Sequence, residues 1–159
     1  MKKVIAMILA VTMILILPLF AFAEEDTDSQ QITVSYTASE SYVVTIPSSQ
    51  SFSAGDLSKT GIVSANVLLS AGKVLKVNMN SANNFALKCG SSSIVYTVSV
   101  NGVALENGST VLEIAAGSTS DSAELNFATT EANIEQATVA GEHTDIITFS
   151  CSLESNTAN

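Results

Sequence analysis

The chain has 159 residues, a formal charge of −9, one histidine, two cysteines, no tryptophan and no arginine. This balance argues against nucleic acid as a partner, because phosphate binding requires clustered Lys and Arg, and it disfavours anionic membrane surfaces for the same reason. One His and two distant Cys do not make a zinc set. Asp26 and Asp28 come nearest to a calcium-loop pattern, but they lie in an acidic tail without the Gly-Glu spacing such a loop needs. No metal or cofactor is therefore expected.

In chain order, Lys2 and Lys3 precede an apolar run from Val4 to Phe20, and Ala21-Phe22-Ala23 then stands before the acidic Glu24-Glu25-Asp26. That is the pattern of an export signal cleaved after Ala23, with no positive stop-transfer cluster to make it an anchor. Cleavage leaves 136 of the 159 residues, and the loss of Lys2 and Lys3 moves the charge from −9 to −11. A chain of this size can bury one core of its own. The expected organisation is a signal peptide at 1–23, a flexible acidic tail at 24–30, one β domain at 31–153 and a polar tail at 154–159.

Period-two alternation dominates the mature chain. Ile32, Val34 and Tyr36 share a face of a first expected strand, which a short turn joins to Tyr42–Ile46 as a strand pair. Pro47 ends that pairing because it lacks a backbone donor. Residues 48–61 are weakly patterned. A strand over 62–69 should place Val63, Ala65, Val67 and Leu69 inside, and 73–80 should bury Leu75, Val77 and Met79. Phe85, Leu87 and Cys89 share a face, and Ile94–Val100 reads as one continuous strand.

Asn101-Gly102 and Asn107-Gly108 both suit type I′ turns, which predicts a meander of 94–100, 103–106 and 109–115. Ala123, Leu125 and Phe127 alternate with Glu124 and Asn126. Residues 130–137 tolerate one or two helical turns. In the last strand Ile147, Phe149, Cys151 and Leu153 alternate with Thr148, Ser150 and Ser152. About eight to ten short strands with turn signals between them predict an all-β, antiparallel sandwich.

The segment Ala140-Gly141-Glu142-His143-Thr144-Asp145-Ile146-Ile147-Thr148-Phe149 resembles a closing-strand motif, Ala-Gly-Thr-Tyr-Thr-Asp-Thr-Leu-Thr-Phe-Thr-Val, of small secreted bacterial β-sandwich proteins. The motif is found in spore coat protein U-like and pilin-like domains, and a relative of it closes WxL surface domains. Tyr42-Val43-Val44-Thr45-Ile46-Pro47-Ser48 is similar to an opening segment of such proteins. His143 stands at the usual tyrosine, Ile146 at a threonine and Cys151 at an apolar residue, and no Trp-x-Leu pair occurs. The resemblance implies an immunoglobulin-like sandwich outside the cell, used for structure or attachment, with Gly141, His143, Asp145 and Phe149 as motif positions and no catalytic site.

Cys89 and Cys151 both fall on apolar phases. In an exported chain a bridge between them is favoured over two buried thiols acting as small hydrophobes. It would contribute on the order of 4 kcal/mol if the α-carbons came within about 7 Å. His143 and Asp145 lie two residues apart on one face, the sole geometric argument for a catalytic pair. The simpler account gives Asp145 to turn amides. Tyr36, Tyr42 and Tyr96 could stack on a sugar ring but lie on apolar phases that suit packing.

The expectation is thus a non-enzymatic, secreted or noncovalently surface-associated structural or adhesive module, comparable with a pilus-like subunit, that meets protein partners or its own copies through sheet edges or faces. The competing expectation is a soluble binding module for a glycan or small ligand.

Overall fold

A computed structural model describes residues 32–155 of the chain. The expected signal with its cut after Ala23, the acidic tail and the end of the polar C-terminal tail lie outside the described residues. The chain divides after Tyr36, and among the described residues every strand lies in the unit that begins at Thr37.

That unit is built from antiparallel strands and one helical turn: β1 (Ser41–Thr45), β2 (Ser58–Leu68), β3 (Lys73–Ser81), β4 (Ala86–Cys89), β5 (Ser92–Val95), β6 (Thr97–Val100), β7 (Val103–Ala104), β8 (Thr110–Ala115), β9 (Ser120–Ala128), α1 (Glu131–Ile134) and β10 (Ile147–Ser155). A five-stranded sheet runs β1-β2-β9-β6-β7, a three-stranded sheet runs β10-β3-β8, and β4 and β5 form a separate hairpin. The all-β, antiparallel expectation holds.

The two larger sheets face one core. Val63, Ala65 and Val67 of β2 and Ala123, Leu125 and Phe127 of β9 come from one side, and Leu75, Val77 and Met79 of β3 with Leu112 and Ile114 of β8 come from the other. Leu75, Val77 and Met79 are wholly buried. The phase expected inside is inside, because a strand with one apolar face can bury it in only one register. Gly61 lets β2 pass under the turn after β1: a Cβ there would stand 2.6 Å from Pro47 Cβ.

Several expectations are corrected. Ile32–Tyr36 forms no strand, and Ile32, Val34 and Tyr36 are exposed. Strand β1 takes its hydrogen bonds from β2, with Val43 opposite Asn66, so no hairpin joins it to the preceding residues. Strand β2 starts four residues earlier than the apolar pattern does, because Ser58–Gly61 pairs with β9 from Ala128 to Leu125 through the backbone ladder, with the Ser58 hydroxyl also donating to Asn126 Oδ1 at 3.3 Å.

The expected single strand 94–100 is two strands in different sheets. Tyr96 separates them, turning its N–H to the Phe85 carbonyl at 3.0 Å while β5 stays with β4 and β6 joins β9. The expected meander also breaks. Asn101 and Gly102 have φ of 51° and 77° and close β6 onto β7, as a type I′ turn requires. After Asn107-Gly108, however, the chain crosses to β3. Asn107 acts there with its side chain, accepting from Ser81 N–H at 2.6 Å and donating to the Ser81 carbonyl at 3.1 Å.

Both ends of the fold meet the turn between β2 and β3. Ser70 N–H donates to the Glu40 carboxylate at 3.0 Å, and Ser70, through its side chain first and then this amide, holds that carboxyl below its usual range. Lys73 Nζ donates to Ser155 Oγ at 3.3 Å.

Candidate functional site

The motif segment brings its polar residues to the end of the core where β10 begins. Asp145, half-buried, accepts from Ser81 Oγ at 2.6 Å, Tyr96 Oη at 2.7 Å, Asn83 N–H at 3.0 Å and its neighbour Ile146 N–H at 2.8 Å. Ser81 Oγ in turn accepts from Phe85 N–H at 2.6 Å. These bonds fix a turn in which Asn84 and Phe85 both take positive φ, 53° and 60°, a conformation that costs a bulky residue energy unless its surroundings hold it. Phe85 packs edge-on to Tyr96 with ring centroids 5.8 Å apart. Burial, and then the Asp145 carboxylate, push the Tyr96 hydroxyl above the usual tyrosine range, so it remains a neutral donor.

His143 serves a different contact. Its Nδ1 lies 3.1 Å from the Gly141 carbonyl and its Nε2 lies 2.8 Å from Ser92 Oγ. A carbonyl only accepts, so Nδ1 carries the proton in the neutral ring and Nε2 accepts from the Ser92 hydroxyl. Ser92 Oγ also accepts from Thr138 N–H at 2.9 Å.

A serine hydrogen-bonded to a histidine has the first two parts of a nucleophilic set. Here the serine is 1% exposed. The carboxylate expected beside the histidine is turned to Ser81 and Tyr96. The arrangement clamps the β4–β5 hairpin to the motif loop, a contact extended by the pairing of Lys88 with Thr144 through bonds of 2.8 and 3.0 Å.

The cysteine expectation is corrected. Cys89 and Cys151 are both free, Cys89 half-buried and Cys151 exposed. Cys89 lies at the end of β4, with its Sγ 3.2 Å from where a Cβ on Gly141 would be. Its neighbour Lys88 is paired with Thr144, and from Thr144 the extended chain runs roughly 20 Å before it reaches Cys151. The bridge distance is out of reach.

Beside Asp145 an open groove of about 290 Å³ runs between the sheets, lined by Ile46, Phe52, Leu87, Phe127, Ile147 and Phe149. Phe149 is thus a groove wall as well as a core contact. Among the described residues no three of His, Cys, Asp and Glu converge on one point.

The structure therefore joins Asp145 to residues that the sequence pattern assigns to turn or core, chiefly Ser81, Asn83 and Tyr96. One signal was available: a tyrosine on a buried phase needs a partner for its hydroxyl, and the motif aspartate is an acceptor-rich residue expected near a turn. No family model, curated protein or solved structure matches the chain.

Proposed function

We propose that the protein is a secreted, noncatalytic structural or adhesive module with an immunoglobulin-like sandwich, related in kind to spore coat protein U-like and pilin-like domains, that works at the cell surface through sheet edges and faces. The observation that carries this reading is the state of β10. It is an edge strand of the three-stranded sheet, its residues from Ile147 to Leu153 carry no charge, and its inward phase is only partly covered. Soluble proteins usually guard such an edge with charge, proline or a bulge. An edge left open is a place for backbone pairing with another chain.

The test is to grow the source cells, separate medium, envelope and cytosol, and locate the protein by antibody. Size-exclusion chromatography of the purified protein then reports its assembly. The reading expects the medium or envelope fraction and species larger than a monomer. A cytosolic, strictly monomeric protein overturns it.

The groove beside Phe52, Phe127 and Phe149 supports a second reading, a soluble module for a glycan or small apolar ligand. That reading expects a monomer whose thermal midpoint rises with one compound of a glycan panel.

A further inference from the structure

The free edge of β10 has a sequence and a hydrogen-bonding phase that match a second copy of itself. Ala82 N–H donates to the Ile146 carbonyl at 2.9 Å, in step with the register that places Ile147 opposite Ser81. In an antiparallel ladder the residues that exchange hydrogen bonds with one neighbour alternate with those that face away. The even-numbered residues of β10 therefore bond to β3, while Ile147, Phe149, Cys151, Leu153 and Ser155 turn their N–H and C=O groups outward. Met79 confirms the phase from the other strand. It faces Phe149 in the register, yet its own N–H and C=O bond to Ser109 and Gly108, on the side of β8.

The other edges are less suited to pairing. Strand β7 has two residues and β1 has five. Strand β8 carries Glu113 and meets β3 with a register shift at Val77/Asn78. Strand β10 runs nine residues without a proline or a shift.

Its centre is Cys151. A two-fold axis there pairs Phe149 of one copy with Leu153 of the other, Ser150 with Ser152, Thr148 with Glu154 and Ile147 with Ser155. Apolar residues then meet apolar ones and hydroxyls meet hydroxyls through the middle of the strand. Moving the axis to Ser150 keeps apolar residues opposite apolar ones but shortens the ladder to Ile147–Leu153, so the axis at Cys151 is the one that pairs the whole strand. Cys151 is exposed although it lies on the inward phase, which shows where the cover over the core is missing.

We propose that β10 pairs antiparallel with β10 of a second copy about a two-fold axis at Cys151, joining the two three-stranded sheets into one continuous sheet. The proposal rests on the sheet-edge reading above and names the partner for it. It places the two Cys151 α-carbons about 5.5 Å apart, inside the range of about 4.4–6.8 Å that a disulfide spans, with the β-carbons at about 5.5 Å, so the two strands must close by about 1 Å for the thiols to link.

The experiment uses the chain from Glu24 onward, which carries every element described, with Cys89→Ser so that Cys151 is the sole thiol. Sedimentation under reducing conditions should show a dimer. Added diamide, which takes two electrons and two protons from a pair of thiols, should then link Cys151 to Cys151 within the dimer, and Cys151→Ser should abolish the link but not the dimer. Ser150→Lys with Ser152→Lys places like charges opposite each other and should weaken dimerisation about tenfold or more. Ser150→Glu with Ser152→Glu should do the same, and mixing the two variants should restore a heterodimer.

Circular dichroism keeps the comparison to folded protein. Assemblies that survive both charge variants and whose thiols do not link would overturn this interface and leave the surface-module reading standing. A monomer at every concentration would overturn both.

Discussion

The Tyr96 hydroxyl donates to Asp145 Oδ2 across 2.7 Å, joining residues 49 apart in the chain. Tyr96 is 4% exposed, so the bond lies between the point where one expected strand splits and the point where the last strand starts. Removing the hydroxyl with Tyr96→Phe should lower the unfolding free energy by about 1.5–3 kcal/mol, the range for a hydrogen bond to a charged group. Asp145→Ala strands the Tyr96 and Ser81 hydroxyls and the Asn83 amide together, and should cost roughly 3 kcal/mol or more. Urea titrations with unchanged slope check both values.

The same bond sets a dependence on pH. The folded state holds the Tyr96 proton more tightly than the unfolded chain does, because the ring is buried and faces a carboxylate. Its contribution is complete below the unfolded value of about 10 and is lost as pH rises above it, by at most about 1.4 kcal/mol per unit. Unfolding measured from pH 8 to 11 should show this loss in the parent protein and a flatter profile in Tyr96→Phe. Equal slopes would show that Tyr96 ionises alike in both states.

Gly61 sits against the Pro47 ring with no room for a methyl group, since an added Cβ falls 2.6 Å from Pro47 Cβ. Gly61→Ala should cost about 1–3 kcal/mol through overpacking. Pro47→Gly in the same chain should recover part of that loss. The pair should then depart from additivity in a double-mutant cycle, as groups in contact do.

The free thiols carry a direct test. The thermal midpoint should be the same with and without a reductant, because no bridge within the chain is present to be reduced. In the Ser150→Lys with Ser152→Lys variant, where Cys151 is not covered by a second copy, a thiol reagent should modify Cys151 quickly and Cys89 slowly, following their exposure. A drop of the size that losing a native disulfide causes, about 2–5 kcal/mol, would contradict the structure.

Lys76 lies 3.0 Å from Glu154 and 4.0 Å from Glu113 on the face of the three-stranded sheet. Glu154, then Glu113, raise its pKa, and Lys76 lowers that of Glu154 in return. The group is open to water, so Lys76→Met should leave the urea midpoint almost unchanged. Molar salt should erase any difference that remains.

Much of the fold could be read from side-chain periodicity. The inward sets Val63-Ala65-Val67, Leu75-Val77-Met79 and Ala123-Leu125-Phe127 follow from the alternation, because burial selects one face of a strand. The split at Tyr96 could not be read that way. Ile94 to Val100 alternates without interruption, and what divides it is a bond from Tyr96 N–H to Phe85, which no local pattern records.

Asn107-Gly108 misled for a related reason. The pair suits a hairpin turn, but the asparagine amide found better partners on Ser81, which is distant in sequence. The candidate site was legible only in part, for Asp145 stood out as a motif residue while its partners looked like ordinary core and turn. Ile32, Val34 and Tyr36 show the opposite failure: alternation alone makes no strand where no neighbouring ladder accepts it.

Glu40 and Ser155 both touch the turn at Ser70–Lys73, so the polypeptide enters and leaves the fold on one side. Tension applied between those two points pulls on the first rung of the β1–β2 ladder and the last rung of the β10–β3 ladder. Each ladder then opens rung by rung, like a zip, rather than shearing all its bonds at once. The fold is mechanically soft along that line, whatever its resistance to heat or urea, and a load borne across an edge of its sheets would meet far greater resistance.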